Sequence, residues 1–326
     1  MTIGLLKELG IKLGMGRSDL LRIISTAPKR YKVYQIPKRR GGTRTIAQPS
    51  RELKAIQRVL LKAVLSKFPV HAAATGYVEN RSILDNAVAH MSSRVLLKLD
   101  FRDFFPSIVP DDWRRLARAK FVDLDEDEVW LSTMILFWGQ KSTTPRCLSI
   151  GAPTSPMLSN IVMYSLDVRL AEAAAATNTT YTRYADDITA SGPTIEDVRQ
   201  FEAYAREIVG RSVSPQLTFN DQKRGIYSSG QRRMVTGLVL TPSNSVSIGR
   251  ERKRLISSML DHWIKDSLDN ERKARLKGLL AFCIAAEPAF VSRLRAKYGD
   301  GPVNDVLRYH IVRKGPPPRQ AGKSSS

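Results

Sequence analysis

Tyr184-Ala185-Asp186-Asp187 sets two carboxylates side by side between two short runs of mainly β-branched and aromatic residues. Thr180-Tyr181-Thr182-Arg183 precedes them and Ile188-Thr189-Ala190-Ser191 follows. Both runs predict strands, so the acidic pair falls at or near a hairpin tip. Aspartate suits turns in any case. Adjacent carboxylates repel, however, and become useful when a divalent cation offsets their charge and takes oxygen ligands. A third acid ends the apolar run Val95-Leu96-Leu97-Lys98-Leu99-Asp100. A strand ending this way presents its carboxylate at a sheet edge. If it lies beside the acidic hairpin, Asp100, Asp186 and Asp187 converge. Three carboxylates with bridging phosphates suit two Mg2+ ions roughly 3.5–4 Å apart. One ion would activate a sugar hydroxyl, and the other would hold a triphosphate and its leaving pyrophosphate. Asp103, close by, reads as a structural residue.

The elements that must position these acids are partly legible. Residues 1 to about 28 predict one or two short helices, with Asp19 to Ile24 in one of them. Tyr31 to Pro37 predicts a strand, and Gly41-Gly42 a turn before Arg44-Thr45-Ile46. This hairpin carries Lys38, Arg39, Arg40 and Arg44, which are either a solvated basic turn or an anion contact. Ser50 suits an N-cap. The helix after it sets Leu53, Ile56, Leu60 and Val64 on one face and Lys54, Arg58 and Lys62 on another. That basic face is either solvated or a nucleic-acid backbone contact. Asn86 and His90 share a second helix, Ile83 to Met91, where a lone histidine reads as structural. Thr154-Ser155-Pro156 predicts a helix start with Ser155 as N-cap, running on to the alanines at 173–176. Gly151 before it lets backbone approach a ligand closely. Glu196 to Val209 predicts an amphipathic helix, and Arg232 to Leu240 a pair of strands. Helix-forming sequence rich in Arg and Lys follows Arg250 to about residue 297. Residues 315–326 predict a basic, flexible tail.

Composition narrows the partner. Of 326 residues, 52 are Lys or Arg and 31 are Asp or Glu, a net charge of +21. Such an excess suits a polyanion, since each phosphate contact releases a counterion. Hydrophobic content of 42% allows a sizeable core. Cys147 and Cys283 lie far apart and make neither a disulfide framework nor a zinc pattern. No apolar run is long enough to span a bilayer, and the N-terminus lacks a signal-like stretch. These features predict a soluble, cytoplasmic protein with no membrane partner.

The aspartate-ending strand, then Gly151-Ala152-Pro153-Thr154-Ser155-Pro156, then Tyr184-Ala185-Asp186-Asp187, resembles the successive motifs of a reverse transcriptase palm. Asn86-Ala87-Val88-Ala89-His90 and Val235-Thr236-Gly237 narrow the resemblance to retron reverse transcriptases. Tyr34 to Lys38, Gly41 to Ile46 and Gln48 to Lys54 are similar to the fingers of those enzymes. The resemblance covers about residues 30 to 300. It implies an α+β, right-hand polymerase fold: an N-terminal helical segment (1–30), fingers and palm (31–240), a small helical thumb (241–314) and the tail. It implies that Lys38 and Arg44 contact triphosphate or template. The loop of Gly151 would pack under the incoming nucleotide and template base. Phe105, five residues after Asp100, would lie under the sugar of an incoming dNTP and exclude a 2′-hydroxyl. Lys223 is either near the leaving phosphates or a surface lysine. One departure stands out: Ile150 replaces a glutamine common before this glycine.

The resemblance further implies RNA-directed DNA synthesis on a cognate structured non-coding RNA. A guanosine 2′-hydroxyl of that RNA would prime it, giving a branched RNA–DNA molecule (msDNA). Phage defence with a separate effector protein would follow. Two alternatives stay open. One is another bacterial reverse transcriptase, of group II intron or diversity-generating type, although the compact thumb disfavours the first. The other is a non-catalytic RNA-binding scaffold, which the three retained carboxylates disfavour.

Overall fold

The computed structural model describes residues 4–38, 41–119 and 123–310. Arg39, Arg40 and the expected tail lie outside these residues. Helices α1 (Leu5–Leu13) and α2 (Arg17–Ile24) lead into a two-stranded antiparallel ribbon, β1 (Tyr31–Pro37) and β2 (Thr43–Pro49). β1 is exposed along nearly its whole length, and such a ribbon is marginal by itself. Its base is tied down, because Ala47 N–H donates to Ile150 O (2.9 Å) and Ser50 N–H to Arg30 O (2.8 Å). α3 (Arg51–Ala63) follows, with the Ser50 hydroxyl accepting from Leu53 N–H as an N-cap.

α4 (Ile83–Val88) begins in a capping box between Ser82 and Asp85. It stops short of the expected Met91. His90 N–H bonds Ala87 O (3.1 Å), which tightens the chain after the helix and accompanies the burial of the histidine ring. β3 (Val95–Asp100), α5 (Phe104–Ser107), α6 (Pro110–Arg118) and α7 (Glu126–Leu136) come next. The expected long helix after Thr154 is two helices, α8 (Ser155–Val162) and α9 (Tyr164–Ala176), parted at Met163. Its N-cap is Thr154 and not Ser155, which is the first helical residue. Pro156 therefore sits one place further in, still within the first turn.

β4 (Thr180–Tyr184) and β5 (Asp187–Gly192) form the acidic hairpin. After α10 (Ile195–Gly210) comes β6 (Gly225–Tyr227). β3, β4, β5 and β6 make one antiparallel sheet in the order β4-β5-β3-β6. β7 (Arg233–Val235), β8 (Leu238–Leu240) and β9 (Val246–Ser247) form a small second sheet. Four helices complete the described chain: α11 (Arg250–Ile264), α12 (Asn270–Ala286), α13 (Pro288–Tyr298) and α14 (Asp300–Arg308). Helix thus continues past the expected residue 297. No described helix is long and apolar enough to cross a membrane.

The four-stranded sheet divides two cores, and strand alternation decides which residue enters which. Val95, Leu97, Leu99, Ile188 and Ala190 join Leu166, Leu170 and Phe201 of the helices α9 and α10 in the first core. α1 to α3 and α7 share that core. Leu96 points the other way, into a second core with Ala87, Val235, Leu238 and the apolar faces of α11 to α14. Asp100 and Asp187 fall on the same face as Leu96.

Candidate active site

The hairpin and β3 assemble the acids as the sequence implies. Asp100 pairs in register with Asp187, at the end of the antiparallel β3–β5 ladder. Asp186 occupies the loop between β4 and β5, and its carbonyl accepts from Phe101 N–H (3.1 Å). Asp100 is buried, while Asp186 and Asp187 are half-buried. Burial raises the Asp100 pKa to about 6, and repulsion from Asp186 and Asp187 adds to it against the pull of Lys223. Asp186 is likewise raised, by burial first and then by Asp187, while Lys223 and Arg44 act in the opposite sense. These are acids that gain from a cation.

Among the described residues no three His, Cys, Asp or Glu side chains close into a metal cage. A small divalent cation is commonly held by one or two carboxylates together with substrate phosphates and keeps several waters. The donors are all hard oxygens and mutually repulsive, so the residue set fits such a cation. Lys223 follows Asn220, whose N–H donates to Asp100 O (2.7 Å). Its ammonium donates to both Asp100 carboxylate oxygens, at 2.7 Å each. Lys223 is thus a partner of the acids, not a bystander on the surface.

The other expected residues distribute around this centre. Arg44 lies on β2 opposite Ile36, and its charge reaches Asp186. Lys38 is exposed at the end of the ribbon, where its N–H donates to Gly42 O (2.9 Å). Phe105 is half-buried on α5 and packs edge-on against Phe104, with ring centroids 5.5 Å apart. Asp103 before it takes a left-handed backbone, φ +45°, and its carbonyl accepts from Ser107 N–H (2.9 Å). Gly151 has φ +127°, and an added Cβ would lie 3.0 Å from Ala47 O. The close approach that this glycine permits is therefore to β2.

Side chains clamp β4 on its two faces, and the sequence reading passed over those of the first. Arg183 is fully buried. Its Nε and Nη2 donate to the two oxygens of Asp167 on α9 (2.8 and 2.6 Å). Its Nη1 donates to Asn160 Oδ1 and to the carbonyl of Ala185, each at 3.1 Å. Tyr181 O–H also donates to Asp167 (2.7 Å). Ala185 opens the tight loop at φ +56°, a position that favours glycine. Arg183 therefore anchors the strained residue next to Asp186. On the opposite face, His90 bonds Thr182 Oγ1 and Ser191 Oγ, each at 2.7 Å, and Thr182 O–H donates to Asn86. Burial lowers the His90 pKa to about 3, so the ring is neutral and offers one donor and one acceptor. Asn86 and His90 are thus struts between α4 and the hairpin. Thr236 O–H donates to Ile83 O (2.9 Å), so the Val235-Thr236-Gly237 turn is tied to the same helix.

A sheet that presents acids at one end, with the charge of Arg44 on a basic ribbon reaching them, suits a template-copying polymerase. The reverse transcriptase (RNA-dependent DNA polymerase) family model matches residues 36–248. The retron Ec83 reverse transcriptase of Escherichia coli is 39% identical over 86% of this chain and 90% of its own. The retron Mx65 reverse transcriptase of Myxococcus xanthus is 35% identical over 88% of this chain and 68% of its own. The chain belongs to the retron reverse transcriptases and is an RNA-directed DNA polymerase. A telomerase from Candida albicans, solved with a fragment of telomeric RNA, shares the fold at a TM-score of 0.51 and 12% identity. The alignment covers 83% of this chain and 58% of that one. The architecture is the expected α+β right hand of fingers, palm and small helical thumb. As in reverse transcriptases generally, polymerisation depends on a divalent cation.

Proposed function

We propose that this enzyme copies part of its own cognate structured RNA into DNA, starting from a guanosine 2′-hydroxyl and leaving branched msDNA. The observation that carries the chemistry is the register pairing of Asp100 with Asp187, with Asp186 beside them in the loop. Asp100, Asp186 and Asp187 would hold two Mg2+ ions, which supply charge neutralisation at the reacting phosphate when bound. Lys223 stands at Asp100 and would meet a leaving phosphate there. Arg44, and Lys38 at the end of the ribbon, supply positive charge to the triphosphate or template. Gly151 seats its loop against β2, so that fingers and palm present one surface to the nucleotide. Residues 31–240 would work as fingers and palm, 241–314 as thumb, and 1–30 as a helical support. We place the enzyme in the cytoplasm, serving phage defence with a separate effector protein. The retron relatives support the copying of a retron RNA. Its test is the nucleic acid that copurifies with the protein. Sensitivity to both DNase and RNase, with shortening by a debranching nuclease, is expected. RNA alone, with no DNA attached, would overturn it.

Two further outcomes follow. Phe105→Ala opens space beside C2′, so the preference for dNTP over rNTP should fall about tenfold or more. Competition between paired nucleotides measures this, and an unchanged ratio in an active variant removes Phe105 from the gate. Recognition of RNA shape is separate from generic charge attraction, which weakens steeply with salt for every RNA. The cognate RNA should therefore stay bound at a salt concentration that strips unrelated RNA. Exchanging the thumb for that of a distant retron enzyme should change which RNA is primed. Equal salt sensitivity for both RNAs, with no change after the exchange, would leave a generic reverse transcriptase.

A further inference from the structure

Tyr77 belongs to none of the motifs named above, yet it stands among the reacting residues. Its segment runs along the outer edge of β4. Arg183 N–H donates to Ala73 O (2.8 Å), and Thr75 N–H donates to Arg183 O (2.8 Å). The Asn160 amide holds Gly76 O (2.9 Å). Gly76 has no room for a side chain, since a Cβ would lie 2.9 Å from Ala185 N and 3.2 Å from the Tyr184 ring. Backbone pressed this closely to the acidic hairpin carries the next residue to the end of the sheet. Tyr77 takes φ +62°, a left-handed conformation that is unusual for an aromatic residue.

Tyr77 is 47% exposed, although two aromatic rings stand beside it. Its ring centroid is 6.3 Å from that of Phe105 and 6.2 Å from that of Tyr184. Asp186 and Arg44 are near enough to act on its hydroxyl, in opposite senses. A strained residue that the surrounding backbone over-determines, with its side chain left at a reacting centre, marks a functional position. Phe105 meets Phe104 on one side, and Phe104 is buried in the first core and cannot give way. Among the described residues, Tyr77 is the other aromatic neighbour of Phe105.

We propose that Tyr77 is a positioning residue for sugar selection: its ring braces Phe105 so that the gate does not yield to a 2′-hydroxyl. This rests on the reading of Phe105 as the gate. Without the brace, Phe105 can swing into the space that Tyr77 vacates, and a ribose is then admitted. The bracing needs a flat, rigid ring and not the hydroxyl.

The test is single-nucleotide incorporation by the purified enzyme with its RNA, read as the ratio of kcat/KM for a dNTP to that for the matching rNTP. The ratio does not depend on the fraction of enzyme that is folded. Tyr77→Ala should lower it about tenfold, the scale of a lost pocket contact. Tyr77→Leu, which keeps bulk without a ring, should lower it too and serves if the alanine variant is inactive. Tyr77→Phe should restore it. Tyr77→Ala should add nothing to Phe105→Ala, because a brace acts only through what it braces. An unchanged ratio in Tyr77→Ala or Tyr77→Leu, beside a lowered one in Phe105→Ala, overturns the proposal and leaves the gate standing. An unchanged ratio in Phe105→Ala overturns the gate itself. Equal losses in Tyr77→Phe and Tyr77→Ala overturn bracing in favour of a hydroxyl contact.

Discussion

Asp186→Asn is expected to abolish DNA synthesis while binding of RNA stays near normal. The substitution keeps the size of the side chain and removes one negative charge from a cluster in which burial first, and then neighbouring carboxylates, raise the pKa of Asp100 and of Asp186. Loss of a group that only supports a metal ligand typically costs about 10–100-fold in activity, and loss of a ligand itself should exceed that. RNA binding should persist, since the basic residues of the ribbon and of α11 to α14 lie on other elements than the loop between β4 and β5. Primer extension with Mg2+, run beside filter binding, measures both. Near-normal extension would remove Asp186 from the cation site. A parallel loss of RNA binding would mean that the acidic loop shapes the RNA contact as well.

The second large effect concerns the fully buried pair of Arg183 and Asp167. Asp167→Asn leaves the guanidinium buried beside a neutral amide, and breaking a buried pair in this way costs about 3–5 kcal/mol. Thermal unfolding should show the loss directly. The double replacement Arg183→Met with Asp167→Leu removes both charges and should recover most of the stability, because well-packed apolar residues commonly match a buried ion pair. It should not recover synthesis, since the carbonyl of Ala185 loses its donor and the left-handed residue before Asp186 is free to relax. A stable double variant with full activity would show that the loop needs no such anchor.

Much of the centre was legible because it is written in local patterns. The runs 95–100, 180–183 and 188–191 alternate or repeat β-formers, and their acids fall at strand ends where pairing brings them together. Ser50 caps its helix as its residue type suggests. The supporting shell was not legible, since it is made of pairs that only the fold creates. Arg183 looks like any basic strand residue until Asp167 arrives from the opposing helix. The break at Met163 was hidden because α8 and α9 continue the same apolar spacing. Tyr77 depends on a left-handed backbone, and the single local signal was the glycine before it. His90 could be read as structural, but its partners Thr182 and Ser191 could not.

The central strand also sets an order of events during synthesis of the chain. β3 lies between β5 and β6, both of which leave the ribosome long after it. Asp100 meets its acidic partner only once β5 has emerged, and meets Lys223 only after 123 further residues. Leu96 and Leu97 wait for different cores, and the second core draws on helices that come last. Contacts this distant in sequence form slowly, and domains fold as units once their parts are present. A nascent or truncated chain therefore carries an incomplete copying centre. The second core, to which Leu96 of the central strand belongs, is complete only when α11 to α14 have emerged.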